Sequence, residues 1–229
     1  VVALGGNAIK KTDETATAEV QLRNIRNACV QILQIVKNGY RVVITHGNGP
    51  QIGNQLIQQE ESKNVVPPLP LDVLVARTQG GIGYMLQRVL YNELAKERLD
   101  IPVVSVITQV LVNQHDPAFK NPSKPVGPFY SEEEAHELIK LRKYVVNEVK
   151  PSSSKPYRRV VPSPQPVEIL ERKTLKLLVR SHCMVIASGG GGIPVIKTKV
   201  KDADFEGIEG VIDKDLAAGI LAETLNAEI

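Results

Sequence analysis

The chain has no block of like charge, no long apolar run and only two cysteines, and each absence removes a class of function. Lys and Arg residues, 28 against 25 Asp and Glu, are scattered and leave a formal net charge of +3. Without a run of about five or six basic residues there is no electrostatic footprint for nucleic acid. No apolar stretch approaches the roughly 20 residues that span a bilayer, and the N-terminus lacks the basic-then-apolar build of a secretion signal. A cytoplasmic protein without membrane contact is therefore expected. Cys29 and Cys183 each lie in an apolar segment, NACVQIL and SHCMVIA, where a reduced cysteine acts as a small core hydrophobe. Neither a disulfide nor a metal role is expected of them. Two nucleotide-binding signatures are missing as well. GGNAIKK, after the first apolar run, has no third glycine where G-x-G-x-x-G needs one, and no Walker A loop occurs.

What is present is a sequence of 229 residues, 42% hydrophobic and 23% charged, sufficient for the core of one large domain or two small ones. It begins at Val1, without Met and inside a strand, which suggests a trimmed chain. Strand and helix patterns alternate. VVAL (1–4), RVVIT (41–45), IPVVSVIT (101–108) and CMVIAS (183–188) are β-branched runs suited to parallel strands buried on both faces. An amphipathic helix carries Val20, Ile25, Cys29, Ile32, Leu33 and Val36 on one stripe and ends at Asn38-Gly39. Helical segments run from about Leu71 to Arg98, punctuated by TQGGIGY. VEILERKTLKLLVRS reads as a helix, VIKTKV as a strand paired with IEGVI, and DKDLAAGILAETLNA as a closing helix bearing Leu216, Ile220, Leu221 and Leu225. Between about 112 and 162 the chain is polar and rich in proline, too long for a loop, and is expected to form a subdomain inserted into a main domain that covers 1–229.

Four of the buried strands end in small or polar residues: GGNA, HGNG, TQ and SGGGG. In an open α/β sheet such strand ends share one edge, where ligands bind. Glycines let the backbone approach a ligand closely, successive N–H groups form an anion-binding nest, and a following helix N-terminus adds a positive dipole end. Pro50 suits the first turn of such a helix. A single glycine turn is often only a tight connection; three of them, each after a buried strand, favour an anion site.

Anions call for cations, and two lysines stand out. Lys124 lies in NPSKPVGPFY, a loop stiffened by proline, and Lys214 in VIDKDLA opens a helix. Helix starts disfavour cations, so a lysine between Asp213 and Asp215 is either a surface residue beside capping aspartates or a charge kept for a purpose. If two negatively charged groups must meet, as in phosphoryl transfer to a carboxylate-like acceptor, such lysines lower the repulsion most in the transition state.

GGNA, ITHGNGPQIGN, TQGGIGYML, DPAFKNPSKPVGPFYSEEEA, YRRVVPSPQP, ASGGGGIPV and VIDKDLAA, in this order from Val1 to Ile229, resemble the carbamate kinases of the amino-acid kinase family. The resemblance implies an α/β fold, a three-layer α-β-α sandwich with an open, mainly parallel sheet of about eight strands, and a small protruding subdomain. It implies reversible phosphoryl transfer between ATP and carbamate, giving ADP and carbamoyl phosphate, with Mg2+ held mainly by the phosphates. It further implies a homodimer and operation toward ATP in arginine or related nitrogen catabolism. By motif, backbone amides of Gly5, Gly6, Asn7, Gly47, Asn48 and Gly49 would hold the carbamate and the transferring phosphoryl group. Lys214, oriented by Asp215, would bridge the two; Lys124 would close over the acceptor. The loop of Gly189, Gly190, Gly191 and Gly192 would lie under the nucleotide phosphates. Ala3 stands where many kinases of the fold place a lysine, so that charge would come from Lys214. His46 is read as structural, and no protein metal ligand is named.

Two differences from the family pattern carry expectations. EVKPSSSKP replaces an acidic, glycine-containing stretch before YRRVV, so closure of the subdomain is expected to differ. The family continues beyond LNAEI with elements that hold adenine and ribose, so a missing C-terminal part is expected; were the chain complete, a non-catalytic module binding carbamoyl phosphate would be the alternative.

Overall fold

The β-branched runs become short strands; the two central ones, Val43–His46 and Met184–Ile186, are buried on both faces, whereas the outer ones, Val2–Leu4 with Ala3 exposed and Val103–Ser105, are covered only in part. The computed structural model describes residues 1–10, 14, 15, 17–198 and 204–228. In chain order the strands are β1 (Val2–Leu4), β2 (Val43–His46), β3 (Val103–Ser105), β4 (Gln109–Val112), β5 (Lys124–Tyr130), β6 (Val145–Glu148), β7 (Tyr157–Val161), β8 (Pro166–Ile169), β9 (Met184–Ile186), β10 (Ile193–Lys197) and β11 (Phe205–Gly207). The helices are α1 (Gly6–Ile9), α2 (Ala18–Lys37), α3 (Gly49–Ser62), α4 (Leu71–Lys96), α5 (Glu132–Arg142), α6 (Arg172–Arg180) and α7 (Lys214–Leu225).

One ladder runs β1-β2-β9-β3, parallel throughout; a second runs β11-β10-β4-β8, with only β10 and β4 parallel. The β3–β9 pair of the first is continued by the β4–β10 pair of the second. At the join the Val106 N–H donates to the Ile186 carbonyl at 2.9 Å and the Ile193 N–H to the Thr108 carbonyl at 2.9 Å. Side chains alternate between two cores, as a strand's period of two requires. Ile44, Val103, Met184 and Ile186 pack under α2 and α4, whereas Val43, Val104 and Val185 face α6 and α7. The result is helix, sheet, helix in three layers, as the family resemblance implies.

A third, antiparallel sheet, β5-β7-β6, lies beside α3 with α5 connecting β5 to β6. Ser131 and Glu134 form a reciprocal cap at the start of α5. Val126 and Val161 from this sheet join Ile52, Leu71, Leu74 and Ile193 in a third apolar cluster. EVKPSSSKP is the tip of the β6–β7 hairpin, where Val149 N–H donates to the Pro156 carbonyl at 2.9 Å and Lys155 pairs with Glu134 at 2.9 Å.

Several local expectations are corrected. TQGGIGY does not interrupt the helix, because α4 passes through it without a break. A Cβ on Gly83 would fall 2.1 Å from Ser105 Oγ, so that glycine lets the helix lie close on β3. VEI is strand β8, not helix. Val167 is exposed and Ile169 buried, the strand pairs with β4, and the Glu171 carboxylate accepts from Gln109 N–H at 2.8 Å before α6 begins. The partner of β10 is Phe205–Gly207 rather than IEGVI. Lys199 and Val200 of the predicted strand, and the terminal Ile229, lie outside the described residues. Of IPVVSVIT only Val103–Ser105 is strand; residues 106–108 bend toward β4, and there Thr108 Oγ1 accepts from Ser188 N–H beside the glycine loop.

Candidate functional site

β1, β2 and β9 run parallel and end side by side, which brings their C-terminal loops together. After β1 the chain turns into the single turn of α1, with Gly5 at its N-cap position and Ala8 N–H donating to the Gly5 carbonyl at 3.0 Å. After β2 comes His46-Gly47-Asn48, and α3 opens at Gly49 with Pro50 in its first turn. A Cβ on Gly47 would fall 3.5 Å from Gly6 N and 3.7 Å from Lys214 Cδ, so the first two loops and the start of α7 meet at one point. The Gly47 amide itself donates to the Leu4 carbonyl at 2.9 Å, extending the β1–β2 ladder. It is thus engaged within the fold, whereas the first-turn amides of α3 have no acceptor within the helix.

The four glycines after β9 are buried and shaped by what they touch. An added Cβ would fall 2.4 Å from His46 Nε2 at Gly189, 2.2 Å from Asn48 Nδ2 at Gly190 and 2.4 Å from the Ile212 carbonyl oxygen at Gly191. At Gly192 it would fall 2.3 Å from Val110 Cγ2. Gly190, Gly191 and Gly192 also have φ of +68°, +93° and +86°, open to glycine at little cost. The loop is the seat on which HGN rests.

A cleft of about 610 Å³ lies over these strand ends. Its floor is Gly47, Asn48, Gly49 and Gly190; one wall is α3, with Asn54 and Ile57; the other is β5, from Lys124 to Phe129. Lys10, Lys124, Arg158 and Lys214 line it and, among the described lining residues, no carboxylate does, a field that favours an anion. Lys124 begins strand β5 and Lys214 begins helix α7, so the two lysines singled out by sequence line one cleft from elements distant in sequence. Lys124 pairs with Asp213 at 2.8 Å, and Lys214 with Asp215. Asp213 caps α7 by accepting from Asp215 N–H at 2.9 Å. The Lys124 hydrogen bond, followed by the capping one, holds the Asp213 carboxyl below its ordinary range.

Of the remaining predicted residues, Gly5 stands at the N-cap of α1 and the Gly6 and Asn7 backbone forms its start, with Gly6 beside Gly47. Gly190 lines the cleft, whereas Gly189, Gly191 and Gly192 face the interior. Asp215 is 77% exposed at the side chain and turns outward from α7. His46 is buried against Gly189, and burial pushes its pKa down to about 4. A neutral ring wedged in the fold agrees with a structural role.

Sequence reasoning missed several contributors. Lys10 follows directly on α1, and Arg158 lies in the YRRVV motif, where it donates to the Gly127 carbonyl at 2.8 Å and stacks 5.1 Å from the Phe129 ring centroid. Their positions in motifs already singled out were the available signal. Thr78 and Gln79 of TQGG are buried in α4. Thr78 Oγ1 accepts from Asn48 Nδ2 at 2.9 Å, and Gln79 Nε2 donates to the Thr108 and Gly189 carbonyls at 3.1 and 3.0 Å. Thr108 Oγ1 accepts from Ser188 N–H at 3.0 Å and Thr45 Oγ1 donates to the Ser188 carbonyl at 2.9 Å. This buried network fixes the loops that form the floor.

Known proteins with this arrangement agree on one family. The model of the amino acid kinase family matches residues 1–229. A carbamate kinase from Pyrococcus furiosus is 48% identical over 231 residues, covering all of this chain and 72% of that protein. Carbamate kinase 2 of Enterococcus faecalis is 47% identical over all of this chain and 71% of its own. Among solved structures, carbamate kinase from Giardia lamblia bound to AMP-PNP superposes with a TM-score of 0.90 at 40% identity, covering 98% of this chain and 70% of that one. A crystal structure from Aeropyrum pernix K1 gives 0.93 at 41% identity, over 99% and 71%. The chain belongs to the amino acid kinase family and, within it, to the carbamate kinases.

Proposed function

We propose that this carbamate kinase moves a phosphoryl group between ATP and carbamate at the cleft between α3 and β5. The observation that carries the reading is that Lys124, from strand β5 of the small sheet, and Lys214, from the start of helix α7, line one cleft whose floor is made of Gly47, Asn48 and Gly49. In the direction of ATP synthesis the bond between phosphorus and the carbamoyl oxygen breaks. A new bond forms between phosphorus and a β-phosphate oxygen of ADP, and carbamate leaves as an anion. No proton needs to move, so a general base is not required. What the site must supply is neutralisation of charge shared between donor, phosphoryl group and acceptor.

In this reading the Asn48 and Gly49 amides, with those of Gly5, Gly6 and Asn7, hold the acceptor and phosphoryl oxygens. Lys214 bridges the two with Asp215 at its side, and Lys124 reaches the acceptor from the small sheet, which acts as a protruding subdomain over 112–162. The Gly189 to Gly192 loop supports the nucleotide phosphates through Gly190 and otherwise holds His46 and Asn48 in place. The lining of lysines, arginine and amides fits a magnesium ion that would arrive with the nucleotide phosphates, be held mainly by them and neutralise part of their charge. A homodimer in the cytoplasm, supplying ATP in the breakdown of arginine or related nitrogen compounds, completes the proposal.

The test is ATP formation from ADP, Mg2+ and carbamoyl phosphate by the intact polypeptide, beside Lys214→Ala. The expected loss is about 100-fold or more in kcat, in line with removal of one transition-state charge partner. ATP synthesis by Lys214→Ala at the unaltered protein's rate would overturn the proposal.

A further inference from the structure

Lys124 and Lys214 approach the cleft on elements far apart in sequence, and one side chain connects them. Asp213 accepts from the backbone N–H of Asp215 through Oδ1 at 2.9 Å and from Lys124 Nζ through Oδ2 at 2.8 Å, across 89 residues of chain. We propose that Asp213 is a positioning residue for phosphoryl transfer, its single carboxylate setting the place of Lys124 relative to Lys214. The inference rests on the kinase reading above.

A helix cap normally uses one carboxylate oxygen and leaves the other to water. Here the second oxygen holds a lysine that begins a strand of the small antiparallel sheet. The first bond fixes where α7, and therefore Lys214, starts; the second fixes where the Lys124 ammonium ends. A lysine stem has four rotatable bonds, and without a partner its charge would sample many positions over the cleft. The pairing does not remove Lys124 from service, because an ammonium has three donors and Asp213 takes one. Nor does it contribute much to folding. Both side chains are 37% exposed, and half-exposed ion pairs contribute little to stability. Two ammonium groups directed at one small anion also repel each other, and a carboxylate between their attachment points offsets that repulsion. Asp215 is placed less well for this, since it projects outward and, among the described residues, pairs with its own neighbour Lys214.

Asp213→Asn separates the two bonds. Asparagine caps a helix about as well as aspartate, so the start of α7 is kept, while the charge that holds Lys124 is lost. The experiment compares the unaltered polypeptide, Asp213→Asn, Lys124→Ala and the double variant, by kcat, by KM for ADP and carbamoyl phosphate, and by thermal unfolding. Acetylation of Lys124 by an amine-reactive ester is followed in parallel by mass spectrometry. The expected result is an unchanged melting temperature for Asp213→Asn and a kcat reduced about tenfold or more, with KM for ADP unmoved. Beside Lys124→Ala, adding Asp213→Asn should change kcat by less than about twofold, and in Asp213→Asn alone Lys124 should acetylate severalfold faster. Independent, multiplying losses in kcat would overturn the inference, as would an Asp213→Asn enzyme as fast as or faster than the unaltered one. Failure of the unaltered polypeptide to form ATP would instead remove the kinase reading, and this inference with it, even if the acetylation rates still revealed the ion pair.

Discussion

Gln79 and Thr108 pair through both hydrogen-bonding edges, 29 residues apart: the glutamine Nε2 donates to the Thr108 carbonyl at 3.1 Å, and its Oε1 accepts the Thr108 N–H at 2.8 Å. The side-chain amide thus stands in for a strand where the chain bends from β3 into β4. The same Nε2 also reaches the Gly189 carbonyl, so one helical residue holds the strand bend and the glycine loop together.

Gln79→Leu should therefore act mainly through one group. The Thr108 carbonyl still accepts from Ile193 N–H, and the Gly189 carbonyl from Gly192 N–H, but the Thr108 N–H loses its acceptor in a buried place. A buried donor left unpaired costs about 2 kcal/mol. Urea unfolding should show that loss, together with a kcat decrease as the floor loosens. A stability within about 0.5 kcal/mol of the unaltered protein would mean that the pairing does not hold the bend.

Glycine should matter where backbone meets backbone and not where it faces open space. Gly191 has φ +93°, and an added Cβ would lie 2.4 Å from the Ile212 carbonyl oxygen, which no side-chain rotation can relieve. Gly191→Ala is expected to destabilise by about 3 kcal/mol, combining backbone strain with overpacking. Gly219, exposed within α7 with nothing near its would-be Cβ, gives the opposite expectation: Gly219→Ala should stabilise by about 0.5–1 kcal/mol. Thermal unfolding of the two variants side by side checks both signs.

Much of this architecture was legible in the sequence because its signals are local. RVVIT and CMVIAS are runs that only a strand buried on both sides accommodates, and HGNG and SGGGG mark where such strands stop. Lys214 was legible because a cation at a helix start runs against the helix dipole. What escaped has other causes. Three glycines in TQGGIGY imitate a helix break, yet α4 continues because its other face, Leu74, Ile82, Leu86 and Leu90, is buried along the sheet. VEI was absorbed into a helical pattern because its pairing with β4 depends on residues far away in the chain, Val110 with Ile169 and Leu111 with Glu168. Asp213 looked like an ordinary cap because Lys124, its second partner, is distant in sequence. The link between Gln79 and Thr108 was hidden for the same reason.

The two cysteines should separate cleanly by reactivity. Cys29 is fully buried in α2, and burial, followed by the nearby Glu93 charge, pushes its thiol up to about 12. Cys183 precedes β9 and is partly exposed. With a thiol-reactive dye at pH 8 the native chain should label at Cys183 alone, and Cys29 should react only after denaturation, since the thiolate is the reacting species. Native labelling of Cys29 at a comparable rate would show that α2 opens far more readily than its packing implies.

His46 should make stability fall as pH falls below about 6.5. The ring is 1% exposed; since a carbonyl only accepts, Nδ1 carries the proton in its 3.1 Å bond to the Gly47 carbonyl, and Gly189 closes over the far side. Burial lowers the pKa from 6.5 to about 4, with the Gly47 bond opposing the shift. Above pH 6.5 the ring is neutral in folded and unfolded chains alike, so this group adds no slope. Between 6.5 and about 4 the unfolded chain takes up a proton that the folded one refuses, so the unfolding free energy falls as pH falls. Below about 4 both states are protonated and the slope ends. The full difference corresponds to about 3 kcal/mol, of which about 2 kcal/mol should be lost between pH 7 and 5. Urea unfolding at pH 7, 6 and 5 measures this directly, with His46→Gln run beside it to subtract all other titrating groups. The two pH series should converge as pH falls, because the glutamine variant lacks the histidine's share of the decline. Parallel series would mean that the ring is already charged or accessible in the folded chain, and the seat formed by Gly189 would then not exclude the proton.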